Sequence, residues 1–193
     1  MWKEYFSIPN LMGYFRILMI PVFLGAYYNA KTPGDYVTAF AILAVSLLTD
    51  FFDGKIARKF NMITNFGKML DPVADKLTQG ALAIAVTFKY PIMKVLLVFF
   101  ICKELYMGIM GLYLLKKKDF HYGAQWYGKI CTGVMDVGIL ILLLFPEMDY
   151  QIVFVLFVLM MGYMIFSLVK YVQFHLAAIR GTVMTKKQEA PGT

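Results

Sequence analysis

The chain has 193 residues, which is enough for one domain. Hydrophobic residues make up 60% of it and the mean hydropathy is +0.65, so an ordinary soluble domain is excluded. The net charge of +7 at pH 7 fits basic loops beside anionic lipid headgroups, and we expect no nucleic-acid partner.

The apolar residues fall into six blocks that are separated by short polar segments. Each block approaches the roughly 20 residues that a helix needs to cross the hydrocarbon core of a bilayer. The blocks cover about residues 11–29, 36–52, 69–88, 92–115, 125–145 and 150–175. They predict an all-α integral membrane protein with six transmembrane helices.

The two ends of the chain differ from these blocks. The first ten residues, Met1–Asn10, are amphipathic and aromatic, and they predict a short helix lying in the membrane interface. Residues 1–180 are predicted to form one membrane domain, and the polar residues 181–193 a disordered cytoplasmic tail. His175, near the end of the sixth block, is interpreted as an interfacial polar residue.

Basic residues beside the blocks predict the orientation, because cytoplasmic loops carry an excess of Lys and Arg. One side carries Lys3, Lys55, Arg58, Lys59, Lys116, Lys117, Lys118, Arg180, Lys186 and Lys187, which is ten, and the other carries Lys31, Lys89 and Lys94, which is three. We therefore expect a multi-pass protein of the cell (inner) membrane with both termini and the active site on the cytoplasmic side.

Four aspartates lie where the second block ends and the third begins. They follow the pattern D-x2-D-G-x2-A-R-x8-G-x3-D-x3-D, which starts at Asp50 and ends at Asp75. At about 100° per residue, Asp53 lies about 60° from Asp50 on a helix. Asp71 and Asp75 share a face because they are four residues apart. Two helices that present these carboxylates to each other would form an oxygen-rich site.

Cations are needed at such a site, because one ionised side chain in a membrane costs about 2.5–3.5 kcal/mol on insertion scales. Hard oxygen ligands and a phosphate substrate favour two Mg²⁺ ions, with Mn²⁺ able to substitute. Gly54, Ala57 and Gly67 leave room for a ligand, and Arg58 can bind a phosphate through two hydrogen bonds. Metals, an arginine and space for a ligand are the features that phosphoryl transfer needs. They do not show which of Asp71 and Asp75 binds a metal and which acts as a base.

Every fixed position of this pattern matches the signature of the CDP-alcohol phosphotransferases, also called CDP-alcohol phosphatidyltransferases, which the chain resembles. The resemblance implies a homodimeric membrane enzyme of phospholipid synthesis. It implies that Asp50, Asp53, Asp71 and Asp75 are metal ligands, that Asp50, Gly54, Ala57, Arg58 and Gly67 contact the cytidine diphosphate, and that Asp75 is the catalytic base that takes the proton of the acceptor hydroxyl.

Two segments resemble the phosphatidylglycerophosphate synthase branch of this family. They are Ile8-Pro9-Asn10-Leu11-x4-Arg16-x4-Pro21 and Leu70-Asp71-Pro72-Val73-Ala74-Asp75-Lys76. The resemblance implies transfer of the phosphatidyl group from CDP-diacylglycerol to glycerol 3-phosphate, which gives phosphatidylglycerophosphate and CMP. Lys129, Lys103 and Arg16 are candidates to bind the acceptor phosphate, or else to pair with Glu104 or Asp136.

The chain also departs from that branch, which keeps two alternatives open. The branch commonly has Arg-Glu where this chain has Lys103-Glu104, and a second lysine and a glutamine where it has Cys131 and Met135. A cardiolipin synthase of the same fold, with phosphatidylglycerol as acceptor, is one alternative. A small cation transporter is an alternative of another class, although the inverted repeats common in transporters are not evident.

Overall fold

The computed structural model describes residues 7–59, 64–118 and 125–180. For Pro9, residues 50–59, Asn65, Lys68, Lys117 and Lys118 it describes the backbone alone. The elements are α1 (Ile8–Asn29), α2 (Pro33–Lys59), α3 (Asn65–Lys89), α4 (Met93–Lys118), α5 (Trp126–Leu144) and α6 (Tyr150–Arg180). Within the described ranges there is no β-strand, so the predicted all-α class is confirmed.

Helix boundaries differ from the predicted spans mainly where charged residues follow apolar ones. Helix α2 continues to Lys59, α3 already begins at Asn65, and α6 continues to Arg180. Charged and polar residues can remain helical beyond the hydrocarbon, because the backbone hydrogen bonds continue regardless of the side chains. Ile8–Asn10, the end of the predicted interfacial helix, form the first turn of α1. Met1–Phe6 and the predicted tail lie outside the described residues.

Four of these helices are long and apolar enough to cross a membrane. The candidate spans are Asn10–Asn29, Met93–Lys116, Trp126–Leu144 and Tyr150–Arg180, and Pro33–Thr49 of α2 is a shorter apolar segment. Large hydrophobic side chains are exposed along α6, among them Val155, Leu159 and Phe166. An apolar surface of this kind suits lipid, so the fold is that of a multi-pass membrane protein.

Local sequence explains where α2 begins. Thr32 and Asp35 form a reciprocal cap, in which the Thr32 N–H donates to Asp35 Oδ2 at 2.8 Å and the Asp35 N–H donates to Thr32 Oγ1 at 3.3 Å. Pro33 occupies the first helical position, where its missing N–H costs nothing. This cap makes α2 start directly after α1, so the two helices are joined by a short turn.

The chain forms two compact units. The first unit comprises Met1–Met93 and Ile139–Met148, and the second comprises Lys94–Gly138 and Asp149–Thr193. In the first unit, α1 packs against both α2 and α3. In the second, Gly138 lies against Met160, and Leu114 packs with Ala178.

Candidate active site

One face of α1 lies along the amino-terminal half of α3. Asn10 is buried and its Nδ2 donates to Thr64 Oγ1 at 3.1 Å. One turn later, a Cβ added at Gly13 would lie 3.0 Å from Leu70 Cδ2, so the two helices approach closely there. Arg16 continues this face. Because the paired positions on both helices increase together along the chain, α1 and α3 run parallel in the first unit.

The start of α3 is built around Gly67. The Gly67 N–H donates to the Thr64 side chain at 2.9 Å, which caps the helix. Gly67 is buried, and a Cβ at this position would lie 2.6 Å from Asn10 Oδ1. A glycine is therefore needed so that Asn10 can reach Thr64. Its predicted contact with cytidine diphosphate stays a prediction beside this packing role.

Asp71 and Asp75 lie one turn apart on α3, and both are exposed. Arg16 Nη1 donates to Asp75 Oδ1 at 2.5 Å, and the two side chains are 2% and 57% exposed, respectively. Arg16 also attracts Asp71 electrostatically, whereas Asp75 repels it. The structure thus brings together a predicted acceptor-binding base and the predicted catalytic base. Arg16 pairs with Asp75, whereas the partners considered from sequence were Glu104 and Asp136.

Helical register places Asp50 and Asp53 on the face of α2 that is buried in the first unit. Among residues 33–49 of α2, the buried ones are Ala39, Leu43 and Ser46. Residues 50, 53, 54 and 57 continue this line within about 60°, at 100° per residue. The side chains of residues 50–59 lie outside the described part of the chain. The predicted roles of Asp50, Asp53, Gly54, Ala57 and Arg58 therefore stay predictions.

The residues around a small apolar pocket, with a volume of about 10 Å³, show which parts of α2 and α3 lie near each other. The pocket is lined by Met19, Ile20, Phe23, Leu43, Ser46, Thr78, Ala81 and Leu82. Asp50 lies one turn beyond Ser46, and Asp75 lies about one turn before Thr78. Helix α2 turns back along α1 after a short loop, and α1 runs parallel to α3, so α2 runs antiparallel to α3. Both steps therefore lead towards the loop that joins α2 and α3. The backbone therefore brings all four aspartate positions to one end of the first unit.

The donor set at this end fits hard divalent cations. Carboxylate oxygens are the ligands that Mg²⁺ takes in phosphoryl-transfer sites, and exposed Asp71 and Asp75 have room to bind one. Among the described side chains, no group of three or more possible metal ligands comes together. The side chains of Asp50 and Asp53 lie outside the described part of the chain, and a complete ligand set would draw on both helices.

The other two predicted acceptor-binding bases lie in the second unit. Lys103 is buried, and its Nζ donates to Glu104 Oε1 at 3.0 Å, so it pairs with one of the acids considered from sequence. Lys129 is exposed on α5. Beside it, Gly128 is covered by the Tyr171 ring, and a Cβ there would overlap the Tyr171 hydroxyl.

Sequence reasoning missed a buried polar line on α6. Ser167, Tyr171 and His175 follow one another at helical spacing and are all buried. The Tyr171 ring stacks edge-on with Tyr127 at 4.7 Å, and its hydroxyl interacts with Lys103 and Glu104. His175, interpreted from sequence as an interfacial polar residue, is fully buried, and its Nδ1 lies 3.2 Å from the Tyr106 hydroxyl. The 3–4 residue spacing of these polar residues was the available signal.

These features define a multi-pass α-helical membrane protein with an aspartate-rich site at one end of its first unit. The family model described as CDP-alcohol phosphatidyltransferase matches residues 6–178. The chain belongs to this family, and the resemblance seen in the aspartate pattern is confirmed.

Curated relatives carry a more specific name. A protein of Escherichia coli (strain K12), named CDP-diacylglycerol--glycerol-3-phosphate 3-phosphatidyltransferase, is 33% identical over 145 residues, which is 74% of this chain and 79% of that protein. A protein of Rickettsia felis with the same name is 45% identical over 78 residues, which is 40% of this chain. That match spans 42% of the Rickettsia protein, less than half of its length.

Proposed function

We propose that this protein transfers the phosphatidyl group of CDP-diacylglycerol to glycerol 3-phosphate, forming phosphatidylglycerophosphate and CMP. The observation that carries the proposal is the exposed carboxylate pair, Asp71 and Asp75, in a chain that belongs to the CDP-alcohol phosphatidyltransferase family. The name shared by its relatives supports glycerol 3-phosphate as the acceptor.

The reaction is a displacement at phosphorus. The acceptor hydroxyl oxygen forms a bond to the β-phosphorus, which carries diacylglycerol, and the bond from that phosphorus to the bridging oxygen breaks. CMP leaves with the bonding electron pair, and the hydroxyl proton passes to a carboxylate oxygen of Asp75. Asp75 suits this role because its side chain is 57% exposed while one oxygen is already held by Arg16.

We infer a requirement for Mg²⁺, with two ions held by Asp50, Asp53, Asp71 and Asp75 and with Mn²⁺ as a substitute. When bound, the metal would supply positive charge against the pyrophosphate and the leaving phosphate. Arg58 would add a hydrogen-bonding cation, and Asp50, Gly54, Ala57 and Gly67 would contact the nucleotide, as the family resemblance implies. Chelation with EDTA should abolish transfer, and added Mg²⁺ should restore it.

The acceptor phosphate is proposed to bind Lys129 and Lys103. Lys129 is exposed and therefore accessible, whereas buried Lys103 already has a carboxylate partner. Lys129→Ala should raise the KM for glycerol 3-phosphate much more than the KM for CDP-diacylglycerol, because a point charge that meets only the acceptor is lost. Lys116→Ala, at an exposed position of α4, is the matched control. Equal effects on both KM values would remove Lys129 from the acceptor site.

An acceptor panel tests the proposed function directly. Purified protein with CDP-diacylglycerol and Mg²⁺ is offered glycerol 3-phosphate, phosphatidylglycerol, inositol phosphate or serine. We expect CMP release with glycerol 3-phosphate, loss of activity in Asp75→Asn, and wild-type activity in Glu147→Gln, which changes an exposed acid elsewhere. If CMP is released only when phosphatidylglycerol is the acceptor, the protein is instead a cardiolipin synthase. If no acceptor leads to CMP release, the proposal is contradicted.

We also propose a location and an assembly. The ten-to-three distribution of basic residues supports insertion in the cell (inner) membrane with both termini and the aspartates on the cytoplasmic side. Homodimerisation is supported by the family resemblance. Light scattering of the detergent-solubilised protein should then give twice the chain mass of 22.1 kDa, and a value equal to one chain would contradict a stable dimer.

A further inference from the structure

Arg16 is an unusual residue for the interior of a helical membrane protein. It is 1% exposed, and its guanidinium donates to Asp75 at 2.5 Å. Arginine stays protonated, so a buried arginine needs a compensating anion or it costs several kcal/mol. Asp75, the carboxylate with the proposed role of base, supplies such an anion from another helix, 59 positions later in the chain.

The two partners of this ion pair have very different surroundings. Arg16 is enclosed where α1 packs against α3. The Gly13–Leu70 contact lies before it along α1, and the apolar pocket, which begins at Met19, lies after it. Asp75 is more than half exposed, and without a partner an exposed aspartate would change rotamer freely. Because Arg16 is already immobilised by packing, holding Asp75 costs little additional side-chain entropy. The pair therefore fixes one carboxylate oxygen, Oδ1, and leaves Oδ2 available.

We propose that Arg16 is a positioning residue, which holds Asp75 Oδ1 so that Oδ2 is directed at the hydroxyl of the acceptor. This inference rests on the proposed function, in which Asp75 receives the hydroxyl proton. It replaces the prediction that Arg16 binds the acceptor phosphate, since the guanidinium is enclosed and engaged by a carboxylate of the protein. Arg16 acts through Asp75 and need not touch either substrate.

Kinetics of Arg16 variants distinguish positioning from substrate binding. Arg16→Met should lower kcat by about 10²-fold, the effect expected of a misplaced reacting group, with little change in either KM. Arg16→Lys should recover part of kcat, because it restores a charge but not the planar fork. Gly13→Ala is the matched control, since it disturbs the same contact between α1 and α3 through Leu70 and changes no charge. It should keep the wild-type kcat.

Two outcomes would overturn the proposal. One is a selective increase in the KM for glycerol 3-phosphate with kcat unchanged, which would make Arg16 an acceptor-binding residue. The other is an equal loss of kcat in Gly13→Ala, which would mean that any disturbance of this packing has the same effect.

A double-mutant cycle separates this proposal from the proposed function. Thermal unfolding of the detergent-solubilised wild type, Arg16→Met, Asp75→Asn and the double variant measures the coupling without any substrate, because each single substitution removes one charged partner. Additive changes in stability would overturn the pairing, and non-additive changes support it even if no transfer is detected. Absence of transfer by the wild type would instead overturn the proposed function. If Arg16→Met does not fold, Arg16→Gln takes its place in the cycle, because it removes the charge and keeps a polar side chain.

Discussion

Tyr90, in the loop between α3 and α4, connects distant parts of the first unit. Its hydroxyl donates to the carbonyl of Phe145 at 2.8 Å and accepts from the Met148 N–H at 3.2 Å. Burial raises the pKa of the Tyr90 hydroxyl, and the hydrogen bond from Met148 opposes part of that rise. The folded state therefore favours the neutral phenol. Its contribution to stability is complete below a pH of about 10, the unfolded pKa, and is lost as the pH rises through the folded pKa.

We predict that Tyr90→Phe lowers the free energy of unfolding at pH 7 by about 0.5–1.5 kcal/mol, the usual net contribution of one hydrogen bond. The difference from wild type should shrink above a pH of about 10, because only the wild type then carries a group that ionises on unfolding. Thermal unfolding in detergent, at pH 7 and above a pH of about 10, measures this difference in stability. Tyr150→Phe, at an exposed position, is the control. A difference that does not change with pH would contradict the assignment.

At the level of elements, the first turn of α3 has no room for a side chain at Gly67. Gly67→Ala would bring a Cβ to 2.6 Å from Asn10 Oδ1 and 3.0 Å from Thr64 Oγ1, the hydroxyl that caps the helix. We predict a loss of about 1–3 kcal/mol in the free energy of unfolding, as for other overpacked sites. Thermal unfolding of the variant in detergent measures this loss.

Gly80 supplies the matched control in the same helix. A Cβ added there meets nothing within 4 Å, so Gly80→Ala should be neutral or should stabilise the helix by up to about 1 kcal/mol. The two substitutions are chemically identical and differ only in their surroundings. Equal destabilisation by both would show that the contact with Asn10 and Thr64 is not the cause.

The helices could be predicted from sequence more completely than the contacts between them. Six apolar blocks indicate six helices, because a backbone in hydrocarbon must satisfy its own hydrogen bonds. Helical spacing also shows that Asp71 and Asp75 share a face. It does not show which side chain on another helix faces them, so the pairing of Arg16 with Asp75 was not among the partners considered. The burial of His175 was missed for the same reason, since its partner Tyr106 lies on α4.

For the whole molecule, the distribution of basic residues predicts which ends face the cytoplasm. In a variant whose native cysteines, Cys102 and Cys131, are replaced by serine, a membrane-impermeant maleimide is applied to intact spheroplasts. We expect labelling of Lys31→Cys, in the loop after α1, and none of Thr193→Cys until the membrane is opened. The reverse pattern would contradict the proposed orientation, because short basic loops remain in the cytoplasm.

The ion pair between α1 and α3 has a consequence for biosynthesis. During translation Arg16 emerges from the ribosome 59 residues ahead of Asp75, so α1 reaches the translocon before its counter-charge has been made. A lone arginine in a lipid-exposed segment costs about 2.5–3.5 kcal/mol on insertion scales. Release of α1 into lipid therefore becomes more favourable once α3 has arrived, and we expect the first three helices to leave the translocon together.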